Sequence, residues 1–465
     1  MKIFQYKTPV LLLMAALGIT SCKVSKTYQQ PNISQPAAYR NSAAVADTLN
    51  MVRMQWSSLF TDVILQQLIT EGLTANLDLK IAIERINQSN ALLRKSKAAY
   101  LPDLKTNIGA KQSRLSYPQG FGLFKNTTQY DFGISSNWEL DIWGKLSSAK
   151  RGAMAELLAS DAAKRAIQTQ LIADIANHYY DLLSLDEQLA VTKKTALNRG
   201  QDAATIKLLF ENSILNGVAV VQSEANYYEA ELSIPDLEQQ IRVKENALAV
   251  LLARSPAPIQ RSTLLQQQLV YNLKPGIPAQ LLAHRPDVQQ AEYLFRAAFE
   301  NTNVARTQFY PGLNITATAG FSNYGWKDWF SKGSLFGNIA GSLTQPILNK
   351  GQNKAGLAIA LSKQQQALHF FELSLLKASQ EVSDALSAYQ AAAQKEEKRA
   401  KQLKALSLAV EFNKELLNNS KNTNYTDVLA AEQNLLSAEL KGINDQSQKL
   451  HAVVNLYRAL GGGWK

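Results

Sequence analysis

Few side chains in this 465-residue chain have the types and spacing that chemistry requires. It holds one cysteine, Cys22, so no intrachain disulfide and no Cys-x-x-Cys ligand pair can form. The four histidines are scattered, and there is no His-Glu-x-x-His zinc helix, no phosphate-cradling glycine loop and no Gly-x-Ser-x-Gly elbow. His284, Arg285 and Asp287 crowd one short run, but neighbours at one helix start do not converge on a substrate, so their role is read as architectural. His178 occupies a seam position among leucines, where a packed polar residue fits better than a ligand. The expectation is a chain that is not an enzyme, with no cofactor and no metal ligands. Two residues then stand out: Cys22 itself, and Asp427 in "NYTDVLAAE" (424–432), an acid where a helix begins. An acid there steadies the helix macrodipole whatever else it does.

The surroundings of Cys22 explain it. Lys2 and Lys7 precede a short apolar run from Val10 to Leu17, which is the layout of a secretory signal and too short to span a bilayer. Ile19-Thr20-Ser21-Cys22 resembles a bacterial lipobox, in which residues 1–21 are removed and Cys22 becomes the lipid-bearing first residue. Removing two lysines and no acids lowers the formal charge from +11 to +9, still basic. An exported chain does not meet nucleic acid, so the charge belongs to surfaces and partners. The cluster "QKEEKRAKQLK" (394–404) mixes signs at helical spacing and reads as a solvated helix face. After the signal no stretch suits a membrane helix, so entry into a membrane requires strands.

The elements that must position these residues come twice. "AAYLPDLKTNIGA" (98–110) answers to "TQFYPGLNITATA" (307–319) at an offset of 209, aligning Pro102 with Pro311, and "NGVAVVQSEANYYEAEL" (216–232) answers to "NYTDVLAAEQNLLSAEL" (424–440) at 208. Within each copy, helical periodicity gives way to alternation. In 128–140, Tyr130, Phe132, Ile134, Trp138 and Leu140 share one face and Gln129, Asp131, Ser135, Asn137 and Glu139 the other. The segments 103–112 and 312–321 alternate similarly, and 334–343 less cleanly. Each has about the 9 to 11 residues that a tilted membrane strand needs. Trp326, Trp329 and Phe330 lie in the connection 323–333, suited either to a membrane interface or to packing. Pro102, Pro311 and Pro346 mark the strand-helix junctions.

The remainder reads as very long helices. From Gln352 to about Leu417 there is no proline, and Leu361, Leu368, Leu375, Val382 and Tyr389 recur every seven residues, with Phe371, Ala378, Ala385 and Ala392 three further on. The other copy offers Ile175, Leu182 and Leu189 with Leu171, His178 and Leu185. Helices starting near 216 and 424 return antiparallel, with turns at 211–217 and 418–424. Two hairpins supply four strands, too few to close a barrel, and a lipid-facing sheet tolerates no open edge. Closure demands several copies, and three give twelve strands.

"LLAHRPDVQQAE" (281–292) resembles the Leu-x-x-Arg-Pro-Asp signature of TolC-like outer-membrane efflux factors, and "WELDIWGK" (138–145) and "LTQPILNKG" (343–351) resemble the strand-to-helix passages of its lipoprotein branch. The resemblance covers essentially the whole chain. It implies a mixed α and β membrane protein, internally duplicated: a trimeric twelve-stranded β-barrel, four strands per protomer, continued by a long α-helical periplasmic barrel. The implied role is a passive exit duct of a tripartite pump in the outer membrane of a Gram-negative bacterium. The implied partners are two further copies (a homotrimer), outer-membrane lipid, a periplasmic membrane-fusion adaptor and an inner-membrane transporter of the resistance-nodulation-division type, with no nucleic acid. Arg285, Pro286 and Asp287 are the structural signature, and Asp427 matches the first acidic position of the family's periplasmic aperture, where three copies make a carboxylate ring. Ala430 stands where a second aspartate can occur, and Thr423 where a latch arginine can occur. The expected organisation is signal 1–21, a lipidated segment 22–60 packing on the equatorial region, a first repeat 61–253 with its hairpin about 103–140, a connecting segment 254–283, and a second repeat 284–465 with its hairpin about 312–345. A periplasmic coiled-coil adaptor or structural lipoprotein is the competing class. It shares the signal, Cys22 and long helices but lacks the strand hairpins.

Overall fold

The computed structural model describes residues 24–31, 55–119, 121, 126–267, 285–419 and 425–462. The signal 1–21, Cys22, residues 32–54 of the lipidated segment, residues 268–283 of the connecting segment and Thr423 lie outside them. Three helices open the described chain, α1 (Trp56–Leu59), α2 (Val63–Ala75) and α3 (Leu77–Ala98). Strands β1 (Lys105–Arg114) and β2 (Asn126–Leu140) follow, then α4 (Lys145–Glu211) and α5 (Gly217–Leu251). The second half repeats the order with α6 (Pro286–Thr307), β3 (Gly312–Asn323), β4 (Leu335–Thr344), α7 (Gln352–Asn419) and α8 (Tyr425–Ala459).

The duplication reaches the backbone torsions. Gly144 and Gly351, 207 positions apart, both sit at φ +77° just before α4 and α7. Both return helices end in the same six-to-one and five-to-two hydrogen-bonded motif. Gly462 donates to Tyr457 (3.0 Å) and Gly461 to Arg458 (2.8 Å) after α8, as Arg254 does to Ala249 (2.9 Å) and Ala253 to Val250 (3.0 Å) after α5. The left-handed position holds Gly461 in one copy (φ +77°) and Ala253 in the other (φ +54°). Only the glycine adopts that conformation without steric cost.

The chain divides into two compact units. One, formed from residues 1–32, 85–161 and 290–371, carries all four described strands in a single antiparallel sheet of order β1-β2-β3-β4. Its register is continuous. Ile108 faces Phe132, Phe132 faces Phe321 and Phe321 faces Leu335; nearer the other end Leu140 faces Leu313, which faces Leu343. Opposite partners share a face, so the register gathers these apolar residues, with Ile134, Trp138, Ile315 and Ile339, on one side. Lys105, Ser135, Thr318 and Asn338 form one row of the other side, and Glu139, Asn314 and Ser342 another. The strand at 335–344, whose alternation is the weakest of the four, pairs along its whole length with β3.

The other unit, residues 33–84, 162–289 and 372–465, is helical where described. Its core contains the expected seams: Phe371 begins the α7 series at the unit boundary, and Leu375, Ala378, Val382, Ala385 and Ala392 are buried, as are Leu171, Ile175, Leu182 and Leu185 on α4. Leu361, in the strand-bearing unit, is 42% exposed, so the heptad pattern extends further along α7 than the contacts within one chain.

Candidate functional site

Three places hold the residues singled out by the sequence: the sheet, the start of α6 and the start of α8. On the sheet, the aromatic connection between β3 and β4 folds back over the apolar face. Trp329 is buried (7% exposed) and stacks on Phe330 at 4.9 Å, with Tyr130 at 5.7 Å, while Phe330 lies 6.0 Å from Phe132 and 5.5 Å from Phe321. Trp326 and Phe330 stay largely exposed. Trp329 takes the packing reading, and Trp326 rests against Tyr130 at 5.3 Å while leaving much of its ring exposed. On the polar face Ser322 donates to Asp131 (2.6 Å) and Gln129 to both (2.9 and 3.1 Å).

Gly320 lies opposite Gly133 in the β2/β3 ladder, and a Cβ on Gly320 would stand 2.1 Å from the Phe132 carbonyl oxygen. Only glycine permits that approach. Within the described residues β1 and β4 each keep one unpaired edge. Pro102 stands between α3 and β1, Pro311 immediately before β3, and Pro346 two residues after β4. Trp143 donates its indole N–H to the Pro311 carbonyl (2.8 Å), tying the start of the α4 passage to the root of β3.

At the start of α6, Pro286 is the first helical residue, where its missing N–H costs nothing. Arg285 is buried (5% exposed). It grips Asp287 with two donors (Nε to Oδ1 3.0 Å, Nη2 to Oδ2 2.7 Å), reaches Glu381 on α7 (2.8 Å), and donates from Nη1 to the Ala459 carbonyl at the end of α8 (2.8 Å). Burial works against its charge, yet these hydrogen bonds outweigh it and hold its pKa above the ordinary guanidinium value. The arrangement is a joint between the start of α6, the end of α8 and the middle of α7.

At the start of α8, Asp427 lies in the first turn and its side chain is exposed. Its neighbours are not. Tyr425, Val428 and Leu429 are buried with Ile206 of α4 and Ala219 of α5. Lys414 pairs with Glu432 (2.6 Å), and buried Arg199 reaches the Asn226 carbonyl (2.9 Å) and Gln433 (3.0 Å). Burial, then the charge of Glu432, raises the pKa of Asp202 nearby. Asn216 caps α5, accepting from the Ala219 N–H at 3.1 Å. A fixed platform therefore presents Asp427 outward.

Two polar clusters had no signal in the sequence, because their members lie far apart along it. Asp62 accepts from Tyr179 (2.7 Å), Gln267 (2.8 Å), Ser262 and the Ile64 N–H (2.9 Å). His451 sits between Asn177 (2.7 Å) and Asp181 (2.9 Å), with Lys244 also on Asp181 (2.7 Å). His178 packs beside this group, its Nδ1 buried 4.0 Å from Asp181, and burial lowers its pKa. The 394–404 cluster is not wholly a solvated face. Arg399 binds Asp445 of α8 at 2.8 Å and Lys395 approaches the same carboxylate at 3.6 Å. Among the described residues no group of His, Cys, Asp and Glu could hold a metal ion, and no helix is long and apolar enough to cross a membrane.

Comparison with known proteins bears on this geometry. Residues 68–254 and 277–462 match, as two copies, the family model described as outer membrane efflux protein. The probable outer membrane lipoprotein SilC of Salmonella typhimurium is 27% identical over 464 residues, covering 99% of each chain. The toluene efflux pump outer membrane protein TtgF of Pseudomonas putida is 29% identical over 98% of this chain and 97% of its own. The cation efflux system protein CusC of Escherichia coli is 26% identical over 98% and 99%, and a solved structure of CusC superposes with a TM-score of 0.86 at 25% identity, covering 95% of this chain and all of that one.

Proposed function

The chain belongs to the outer membrane efflux protein family, a family of ducts rather than enzymes, and on that premise we propose how its parts serve an outer-membrane exit duct. Three copies join β4 of one to β1 of the next, giving twelve strands with the apolar side toward lipid and the polar side around the passage. Signal residues 1–21 are removed and Cys22 carries lipid. Segments 61–253 and 284–465 act as the two repeats, with 22–60 as the lipidated segment and 254–283 as their connection. The helical portion docks through a periplasmic adaptor to an inner-membrane pump of the resistance-nodulation-division type. Relatives named for toluene and for cations match this chain about equally well, which supports selection of cargo upstream of the duct.

The observation that carries the reading is the sheet: one continuous register, two chemically opposite faces and two open edges. Such a sheet is stable in a bilayer only when its edges are closed by other copies. Asp427, repeated three times at the tip, forms the cation-attracting constriction. Single-channel recording of the purified mature protein in planar bilayers tests both points. Wild type is expected to pass cation-selective current that millimolar divalent cations block, and Asp427→Asn to lose much of that selectivity and block. Current that is unchanged in the variant would leave Asp427 as a helix-end acid alone. Absence of current from a protein soluble without detergent would overturn the duct.

A further inference from the structure

The basic charge of this protein is confined to one of its two units. The strand-bearing segments 85–161 and 290–371 hold 18 Lys and Arg against 9 Asp and Glu, whereas the helical unit holds 27 against 29. Position within the strand-bearing unit is equally uneven. The four helix ends α3, α4, α6 and α7 all meet the same end of the sheet, because β1 and β3 start there and β2 and β4 finish there. Lys95 and Lys97 lie in the last turn of α3, Lys150 in the second turn of α4, Lys350 just before α7 and Lys354 in its first turn. All five are exposed.

Cross-contacts hold these helix ends together at the sheet root. Asn353 donates to the Gln308 carbonyl (2.7 Å), Gln345 to the Phe309 carbonyl (3.1 Å), Trp143 to the Pro311 carbonyl (2.8 Å), and Trp138 to the Tyr100 carbonyl (2.8 Å). Lys150 stands 5.9 Å from the Tyr100 ring. The acids of the zone are already engaged: Asp103 with Lys105, Glu139 with Lys145, and Asp141 with the Leu146 and Ser147 N–H groups. None of them forms an ion pair with the five lysines among the described residues. Beside Lys350, Ile347 and Leu348 are 91% and 95% exposed, a pair of apolar side chains next to the cations.

We propose that this belt of Lys95, Lys97, Lys150, Lys350 and Lys354 binds the phosphate headgroups of anionic phospholipid in the periplasmic leaflet, with Ile347 and Leu348 entering the acyl boundary beside it. The inference rests on the outer-membrane duct reading, which sets the helix-bearing end of the sheet toward the periplasm. Long lysine stems allow the ammonium groups to reach the headgroup level from the strand roots, and the strands rooted there carry Leu140, Leu313 and Leu343 on the apolar face. A lipid surface is favoured over an acidic protein because the cations flank membrane-facing apolar surface instead of a bounded groove. Near an anionic membrane each basic residue contributes about 1 kcal/mol, roughly fivefold, at physiological salt.

The test uses the full mature protein in bilayers of phosphatidylcholine containing increasing phosphatidylglycerol, with retained lipid identified by native mass spectrometry and conductance recorded in parallel. Wild type should retain phosphatidylglycerol over phosphatidylcholine by about tenfold or more, a preference that weakens as salt is raised. Combined Lys95→Gln, Lys97→Gln, Lys350→Gln and Lys354→Gln should bring that ratio close to one while the protein still conducts. Lys327→Gln with Lys332→Gln, at the opposite end of the sheet, should leave it unchanged. A conducting fourfold variant with the wild-type ratio overturns the proposal and spares the duct reading, as does a loss confined to the Lys327 and Lys332 variant, which would locate the anion contact at the outer turns. A wild type that neither inserts nor conducts overturns both.

Discussion

Replacing Arg285 tests whether the Arg-Pro-Asp signature is a joint. Its side chain is 6% exposed and makes four hydrogen bonds at 2.7 to 3.0 Å, to Asp287, Glu381 and Ala459. Removing one partner of a buried ion pair costs about 3–5 kcal/mol. That figure must be discounted here, because Asp287 and Glu381 are 44% and 36% exposed and water screens what is left. Glu381 also keeps Arg458 at 3.6 Å. Against the discount stands the Ala459 carbonyl, which loses a charged donor worth about 1.5–3 kcal/mol in part. The net for Arg285→Ala is about 2–3 kcal/mol, which for a region of this size lowers the unfolding temperature by roughly 5–10 °C. Arg285→Lys keeps the charge but not the two-pronged grip, and should lose about half as much. Thermal unfolding in detergent, followed by circular dichroism, reads both, with conductance of the surviving protein near wild type. An Arg285→Ala protein that unfolds within about 1 °C of wild type would refute the joint. One that unfolds normally but fails to conduct would move Arg285 from architecture to transport.

Gly320→Ala places a methyl group against the Phe132 carbonyl and the Gly133 Cα, so the β2/β3 ladder should be destabilised by about 1–3 kcal/mol or lose its register, seen as loss of heat-resistant oligomer on gels. Ala253→Gly relieves a left-handed alanine at the end of α5 and should stabilise the protein by about 0.5 kcal/mol or more, measured as a raised unfolding midpoint. His178 is held neutral by burial, with Lys244, Asp181, Asp174 and His451 as its charged or titratable neighbours. Its folded pKa lies below its unfolded value near 6.5, so the stability it contributes is present above that pH and lost as pH falls through the lower folded value. His178→Gln should therefore flatten the decline in unfolding temperature between neutral and mildly acidic buffer, and an unchanged slope would rule it out as the source.

Sequence alone determined the features that depend on local periodicity and repetition. Alternation at 128–140 and 312–321, heptads through Leu375 and Val382, proline at a first helical position and the 208-residue offset all act over short range or by self-comparison. From them came the elements, the duplication and the need for more than one copy. Tertiary structure decided which distant groups meet. The weak alternation of β4 became a full ladder because its partner β3 supplied the register. The mixed-sign cluster at 394–404 turned out to hold Asp445 because α8 returns alongside α7, a relation with no trace in local spacing. Asp62, Tyr179 and the pair Ser262 and Gln267 converge from three separate stretches, and Arg285 finds Glu381 and Ala459 only once the start of α6, the middle of α7 and the end of α8 are brought together. Periodicity records which face of an element is buried, but the identity of what buries it is a property of the assembled chain.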